Sequence, residues 1–288
     1  MANLGCITHG STMIYPNDAF DAELTLRAVA EERASILYGV PTMFIAMLDQ
    51  PRRAEFDLST LRTGIMAGAT CPIEVMRRVI SEMHMSEVQI AYGMTETSPV
   101  SLQTGPSDDL ELRVTTVGRT QPQLESKIID DAGNLVPRGT IGELCTRGYS
   151  VMLGYWNNPQ GTAEAIDQAG WMHTGDLATM NEEGYVCIAG RNKDMIIRGG
   201  ENIYPRELEE FFFTHPAVAD VQVIGIPCEK YGEEIVAWIK FHPGHSANEL
   251  ELQTWCKERI AHFKTPRYFK FVEEFPMTVT GKIQKFRM

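Results

Sequence analysis

Apolar positions in the first third of the chain switch between a helical period and short continuous runs. Residues 22–34 carry apolar side chains at helical spacing, and the run at 36–38 predicts a buried strand. The pattern recurs, with strands predicted at 63–66 and 88–91 and a helix that opens at Pro72 between them. Because strands alternate with helices, this part predicts a parallel sheet with helices on its faces.

Parallel sheets of this kind bind their ligands at the carboxyl ends of the strands. Two predicted strands end in small or polar residues: Ala67-Gly68-Ala69 follows one, and Tyr92-Gly93-Met94 follows the next. These two segments are therefore the first candidates for a binding site.

The helical period fades between about residue 112 and residue 188. Short strands predicted at 126–129, 141–146 and 184–189, separated by turn residues, indicate a small β-barrel subdomain.

The pattern changes again after residue 194. An amphipathic helix is predicted at 205–213, strands at 221–226 and 235–241, and a final helix after the capping box Ser246-Ala247-Asn248-Glu249. We interpret this region as a compact α+β module.

The sequence therefore predicts an α/β protein of two domains. The large domain covers residues 1–193, with an α/β part over about 1–110 and the β-barrel over about 111–193, and the small domain covers 194–288. A chain of 288 residues with 43% hydrophobic content can bury one or two cores.

Charge and cysteine usage exclude several classes of function. The net charge of -12 argues against a nucleic-acid partner and a basic membrane-surface protein, and no apolar run reaches the roughly 18 residues of a membrane helix. The six cysteines contain no CxxC pair, and the histidines show no metal-ligand spacing, so spacing predicts neither a disulfide scaffold nor a zinc site. The sequence also contains no serine in a nucleophile elbow, so hydrolase chemistry has no support.

Five polar motifs stand out from this background. In chain order they are Tyr92-Gly93-Met94-Thr95-Glu96, Thr174-Gly175-Asp176, Gly190-Arg191-Asn192-Lys193-Asp194, Gly199-Gly200-Glu201-Asn202 and Thr280-Gly281-Lys282.

Each motif alone has an ordinary structural interpretation. Tyr92 would be a core tyrosine before a loop, Asp176 a turn aspartate, and residues 190–194 a polar hairpin with solvated charges. Gly199-Gly200 would be a loop, and Lys282 a solvated lysine in a tight turn.

Together and in this order, the motifs resemble those of the adenylate-forming superfamily, which includes acyl-CoA synthetases, luciferases and peptide-synthetase adenylation domains. The resemblance implies that a carboxylate attacks ATP to give an acyl-adenylate and pyrophosphate, after which a thiol displaces AMP. It implies the cofactors ATP/AMP and Mg²⁺, with coenzyme A as co-substrate and a fatty acid as the small-molecule substrate.

The resemblance also implies roles for residues near the two strand ends. Gly68, Ala69, Gly93 and Met94 would line the nucleotide site, and Tyr92 would stack on adenine. The Thr95 hydroxyl would meet the α-phosphate, and Glu96 would hold Mg²⁺, a hard cation suited to carboxylate oxygen.

Further roles fall on the second half of the chain. Asp176 would accept both ribose hydroxyls, Arg191 would contact ribose, and Lys193 would be the pivot of a mobile C-terminal domain. Gly199 and Gly200 would line the pantetheine tunnel after rotation, and Lys282 would reach the substrate carboxylate and the α-phosphate during adenylation. His173 is interpreted as structural.

One family feature has no match in this sequence: the glycine- and serine/threonine-rich loop, followed by a lysine, that cradles the β- and γ-phosphates. We therefore interpret the chain as the C-terminal half of a synthetase whose N-terminal half is missing. Without that half, we expect an uncovered apolar face on the sheet that carries the strand at 88–91.

Within the superfamily, the segments Val40-Pro41-Thr42-Met43-Phe44 and Met66-Ala67-Gly68-Ala69 and the ending Phe286-Arg287-Met288 look most like medium-chain fatty acyl-CoA synthetases. That likeness implies a mitochondrial location, with the cytoplasm as the alternative. A non-catalytic fragment or interaction protein, retaining only part of an AMP-binding face, stays the alternative function.

Overall fold

The computed structural model describes residues 2–69, 71–257, 259–278 and 283–288. Contacts divide the chain into two compact units: the first comprises Met1–Thr174 and Ala178–Ile188, and the second comprises Gly175–Leu177 and Ala189–Met288. The domain boundaries expected from the sequence stay predictions. None of the helices in the described ranges is long and apolar enough to cross a bilayer.

The first unit contains the predicted α/β sheet. Its five strands lie in the order β1-β2-β3-β4-β5, with β1, β2 and β3 parallel and β4 and β5 antiparallel to their neighbours. The strands are β1 (Ile36–Gly39), β2 (Thr63–Ala67), β3 (Glu87–Tyr92), β4 (Leu102–Gln103) and β5 (Arg119–Thr120), and the helices are α1 (Ala2–His9), α2 (Ala22–Glu31), α3 (Pro41–Leu48), α4 (Ile73–Glu82) and α5 (Leu110–Thr115). The alternation of strand and helix predicted for this region is confirmed.

Local sequence signals start these helices. The side chain of Asp21 accepts a hydrogen bond from the backbone of Leu24 and caps α2, while Pro41 occupies the first turn of α3, where a missing N–H costs nothing. The apolar faces of α2, α3 and α4 bury Leu26, Phe44 and Met76 completely.

The apolar face that we expected to lie uncovered on this sheet is not exposed at β3 itself. Val88 is fully buried, and Ile90 and Ala91 are at most 6% exposed. The strand lies between β2 and β4, which pair with its two edges, and α5 packs against it. Exposed apolar side chains occur instead on β1, at Ile36 and Tyr38.

The middle of the chain forms a four-stranded sheet in the order β6-β7-β8-β9. Its strands are β6 (Leu124–Ile129), β7 (Gly142–Gly148), β8 (Met172–Met180) and β9 (Val186–Arg191), with helix α6 (Pro159–Ala165) between β7 and β8. Within the described residues no pairing joins β6 to β9, so the predicted small β-barrel is not confirmed. Closed barrels of the smallest kind use about five strands, and four strands leave two open edges.

The C-terminal part of the second unit is the predicted α+β module. A mixed sheet orders its strands β11-β10-β13-β12, with β14 parallel to β13. The strands are β10 (Ile196–Arg198), β11 (Glu201–Ile203), β12 (Val218–Cys228), β13 (Gly232–Phe241) and β14 (Tyr268–Phe271), and the helices are α7 (Pro205–Phe213) and α8 (Glu249–Cys256).

The core of this module forms where α7 packs on the sheet. Leu208 and Phe212 of α7 are fully buried with Val221 and Val223 of β12. Each such side chain contributes about 1.5–3 kcal/mol by leaving water.

The predicted capping box lies two residues later than expected. Asn248 caps α8 by accepting from the backbone of Glu251 at 3.0 Å, and the Glu251 carboxylate accepts from the backbone of Asn248 at 2.8 Å. Asn caps as well as Ser does, and both registers place a glutamate three residues after the cap, so the capping-box pattern alone does not distinguish them.

Candidate functional site

The carboxyl ends of β2 and β3 lie side by side. Ala67 and Ala91 are paired neighbours on the two parallel strands, so Gly68-Ala69 and Tyr92-Gly93 leave the sheet at the same edge. Gly68 and Ala69 are exposed and Tyr92 is half-buried. The structure therefore brings together the two segments that the sequence placed at strand ends.

A tight turn follows Tyr92. A Cβ atom on Gly93 would collide with the carbonyl oxygen of Pro99, so the two backbone segments can approach only because residue 93 is glycine. The buried Thr97 hydroxyl accepts from the Met94 backbone N–H and donates to the Met94 carbonyl, each at 3.1 Å. This turn leaves Thr95 exposed and Glu96 half-buried at the sheet edge.

Glu96 is held from a distant part of the chain. The Tyr155 hydroxyl donates to Glu96 Oε1 at 2.8 Å, and the Met152 backbone N–H donates to the Glu96 carbonyl at 2.8 Å. The hydrogen bond to Glu96 is the main cause of a raised pKa of the Tyr155 phenol. Sequence reasoning missed this contact, because 59 residues separate its partners.

Asp176 and Arg191 form an ion pair in the second unit. Asp176 lies within β8, so its interpretation as a turn aspartate is wrong, and Arg191 is the last residue of β9. Arg191 Nε lies 3.3 Å from Asp176 Oδ1; the Asp176 side chain is 10% exposed and the Arg191 side chain 56%. The structure thus joins two residues to which the resemblance gives the same ligand, ribose.

The expected pivot residue lies in a short turn. Lys193 is exposed in the 3₁₀ turn Asn192–Asp194, between β9 and β10.

Gly199 and Gly200 form the two-residue turn of the β10–β11 hairpin. Their φ angles are +63° and +89°, and Arg198 pairs with Glu201 across the turn. A two-residue turn of this type needs positive φ at both central positions, which accounts for both glycines without a ligand.

Lys282 lies outside the described residues, but the segments on each side of it are described. Met277 bridges Ile283 in antiparallel fashion, and the Gln284 N–H donates to the Pro276 carbonyl at 2.8 Å.

Lys285 fixes the second of these segments. Its ammonium donates to Glu209 Oε1 of α7 at 2.5 Å and to the Val223 carbonyl of β12 at 3.1 Å. Lysine at this position was not singled out from the sequence, since a lysine near a chain end gives no signal of its own.

A surface cavity of about 330 Å³ lies away from these residues. Arg53, Phe56, Leu58 and His84 line it. They precede β2 or β3 in the chain and so lie toward the amino ends of the strands, opposite the candidate site.

Comparison with known proteins agrees with the order of the motifs. The family profile described as "AMP-binding enzyme" matches residues 1–156, and the profile "AMP-binding enzyme C-terminal domain" matches residues 207–282.

Two relatives are similar along nearly the whole chain. The putative acyl-CoA synthetase YngI of Bacillus subtilis (strain 168) is 53% identical over 286 residues, which is 99% of this chain and 52% of the relative. The mitochondrial medium-chain acyl-CoA ligase ACSF2 of Homo sapiens is 48% identical over 284 residues, 98% of this chain and 46% of the relative. The chain spans about half the length of the curated relatives that it matches.

Solved structures show the same fold. The anthranilate CoA ligase AuaEII in complex with anthranoyl-AMP superposes with a TM-score of 0.88 at 31% identity, covering 96% of this chain and 53% of that one. ATP-bound MatB from Rhodopseudomonas palustris gives a TM-score of 0.87 at 31% identity, covering 99% of this chain and 56% of that one.

Proposed function

Because this chain belongs to the AMP-binding enzyme family, we propose that it carries the C-terminal half of an acyl-CoA synthetase. The observation that carries the proposal is the shared edge where β2 and β3 end, with Gly68-Ala69 beside Tyr92-Gly93 and the anchored Glu96. Relatives named as acyl-CoA synthetase and acyl-CoA ligase support the reaction class.

The proposed reaction has two half-reactions. In the first, an oxygen of the fatty acid carboxylate bonds to the α-phosphorus of ATP, and the bond from that phosphorus to the bridging oxygen breaks to release pyrophosphate. In the second, the sulfur of coenzyme A, having lost its proton, bonds to the acyl carbon, and the bond to the adenylate oxygen breaks to release AMP.

Residues of the first unit would bind the base and the phosphate. The half-buried Tyr92 ring offers a face for adenine, and the exposed Thr95 hydroxyl can donate to an α-phosphate oxygen. Glu96 fits a hard cation because its carboxylate is oriented through one oxygen by Tyr155. Mg²⁺ bound there would neutralise phosphate charge.

Residues of the second unit would bind the sugar, and rotation within this unit would allow the change from the first half-reaction to the second. The two carboxylate oxygens of Asp176 suit a vicinal diol, and Arg191 beside it would also contact ribose. Lys282 would stabilise charge during adenylation, and rotation at Lys193 would replace it with Gly199 and Gly200 for the thiol step.

The substrate proposed is a medium-chain fatty acid, and the location proposed is the mitochondrion, both after the printed name of the ACSF2 relatives. The bacterial origin of YngI makes the cytoplasm the alternative location.

A second candidate function follows from the length of the match. The phosphate-cradling loop of the family has no counterpart in this sequence, and several backbone N–H groups of such a loop cannot be replaced by one lysine. The 288-residue chain by itself would then be an AMP-binding module without adenylation activity.

Calorimetric titration with AMP and an ATP–pyrophosphate exchange assay, both on the 288-residue chain, separate these functions. We expect AMP binding with exchange at background level. Exchange above background would assign full adenylation to this chain, and a folded chain that does not bind AMP would overturn the proposal.

A further inference from the structure

Two neighbouring strands bring together three metal-ligating side chains that no role above uses. Glu143 and Cys145 lie on the same face of β7, because side chains alternate along a strand, and His173 lies on the adjacent β8. His173 Nδ1 is 2.9 Å from Glu143 Oε2 and 3.7 Å from Cys145 Sγ, and the three ligand atoms lie within 4.8 Å of one another.

We propose that Glu143, Cys145 and His173 form a binding site for a borderline divalent ion, Zn²⁺. Thiolate, imidazole and carboxylate are the three protein ligands that zinc takes, and each residue here supplies one of them.

The spacing of the donor atoms fits this ion. In a tetrahedral zinc site, a sulfur at about 2.3 Å and a nitrogen at about 2.0 Å lie roughly 3.6 Å apart. The 3.7 Å between Cys145 Sγ and His173 Nδ1 matches that separation. The His173–Glu143 contact of 2.9 Å is a hydrogen bond, and it has to open by about 0.4 Å to admit an ion.

A second carboxylate stands behind the histidine. Asp167 Oδ2 lies 3.9 Å from His173 Nε2, on the side of the ring that faces away from Cys145 and Glu143. Its Oδ1 is held by the backbone N–H groups of Ala169 and Trp171, each at 2.9 Å. Metal-binding histidines usually donate their other N–H to a carboxylate, which orients the ring and raises its basicity; the 3.9 Å separation here has to close by about 1 Å to form that hydrogen bond.

The surrounding charges allow a divalent cation. Lys127 is opposite Cys145 on β6, and its ammonium lies over the Trp171 ring at 4.4 Å from the centroid. Arg147 of β7 lies over the same ring at 4.5 Å and is paired with Glu125 at 2.8 Å. The negative groups at the site are Glu143, Asp167 and, once metal displaces its proton, the Cys145 thiolate. Burial is the main reason that the pKa of the Cys145 thiol rises to about 12, so metal binding must release that proton.

Solvent can reach the site through two of its ligands. The side chains of His173 and Glu143 are 30% and 26% exposed, whereas Cys145 is fully buried. A bound ion would tie β7 to β8 directly before Thr174. In the competing interpretation no metal binds, and the hydrogen bond between His173 and Glu143 by itself links β7 to β8.

Cobalt spectroscopy on the 288-residue chain decides between the two. The chain is freed of metal with a chelator and titrated with Co²⁺, whose bond to a thiolate gives a charge-transfer band in the near ultraviolet. We expect that band at one equivalent, its loss when Zn²⁺ is added, and a higher Tm with Zn²⁺. A folded chain without the band would overturn the proposal.

Variants assign the ligands. Cys145→Ser should abolish the band and His173→Gln should weaken Co²⁺ binding at least tenfold, while Cys187→Ser, on β9 of the same sheet, is the matched control and should keep both. Asp167→Asn keeps a side-chain oxygen that can accept from the backbone N–H groups of Ala169 and Trp171, so this variant should fold. Its affinity for Co²⁺ should fall about 10- to 100-fold. A band of equal intensity in Cys145→Ser, or unchanged affinity in Asp167→Asn, would count against the site.

Discussion

At the scale of single residues, Gly93 is fixed by the space around it. Its Cβ would collide with the Pro99 carbonyl oxygen, which is backbone and cannot turn aside. We expect Gly93→Ala to lower the free energy of unfolding by about 1–3 kcal/mol, the cost of overpacking. Urea denaturation measures this. Gly5→Ala is the control, since nothing lies within 4 Å of that position in α1, and it should be neutral or stabilising.

Asp176 is the residue on which the ribose role depends. Its side chain is only 10% exposed, so a ligand bonded to it is largely shielded from water. Asp176→Ala should weaken AMP binding by about 1.5–3 kcal/mol, or roughly ten- to a hundredfold. Calorimetric titration measures the loss, with Glu182→Gln in the exposed turn after β8 as control. AMP affinity equal to that of the unaltered chain would show that the ribose role is wrong.

At the scale of elements, strand β12 carries a buried acid. Burial raises the pKa of Asp220 to about 7, with the Glu209 carboxylate adding to the rise and Lys240 opposing it. Between pH 4 and pH 7 the folded state therefore binds a proton at Asp220 that the unfolded state has lost, so the contribution of this group to stability is greatest at low pH and falls as pH rises from about 4 to about 7.

We expect Asp220→Asn to remove this dependence. The variant keeps the oxygen that accepts from the Val221 N–H, and its stability relative to the original chain should grow between pH 4 and pH 7 by up to about 4 kcal/mol. Urea denaturation across that range tests the sign, with exposed Glu229→Gln as control. A constant difference between the two chains would contradict the buried-acid account.

The edge strand β1 is where this chain exposes sheet surface. Among the described strands β1 pairs only with β2, and Ile36 and Tyr38 are 40% and 44% exposed. Unprotected edges pair with other chains, so we expect the 288-residue chain to self-associate and Tyr38→Lys to reduce this association. Sedimentation velocity measures it, with Tyr15→Lys outside any strand as control. A monodisperse monomer would contradict the prediction.

The helices and strands also show which parts of the fold can be predicted from short-range sequence patterns. The strands β1, β2 and β3 and the helices α2 and α4 followed from periodicity and from prolines at helix starts, because these signals are contained in a few neighbouring residues, whereas α1 was not predicted. The helix α6 could have been found from Asn158 and Pro159, which cap it and open it. The expected barrel failed for a different reason, since closure depends on which strands pair at long range and alternation along one strand does not contain that information.

At the scale of the whole molecule, short-range sequence patterns also do not predict the long-range contacts of the candidate site. The motif order identified candidate residues, but the contacts that orient them join distant segments, as Tyr155 joins Glu96 and Lys285 joins Glu209. His173 and Cys145 likewise meet only because β7 and β8 are neighbours, which is why their spacing in the sequence gave no sign of a metal site.

Lys282 and Lys193 are expected to affect different half-reactions of the complete enzyme. Lys282 is assigned to adenylation alone, so Lys282→Ala in a complete enzyme should cripple acyl-adenylate formation and leave thioester formation from supplied acyl-adenylate nearly intact. If both lysines were solvated surface charges, alanine at either position would change stability by under about 0.5 kcal/mol and leave both half-reactions alone.

Lys193→Pro should do the reverse, because the turn Asn192–Asp194 is where the chain would rotate between half-reactions. Proline fixes φ near −65° and restricts the preceding residue, so it hinders that rotation without removing a group that touches substrate. Lys193→Ala is the matched control: it removes the same charge, leaves the backbone free, and should keep both rates. Single-turnover measurement of each half-reaction tests the pair, and equal loss of both half-reactions in the Lys282 variant would refute the assignment.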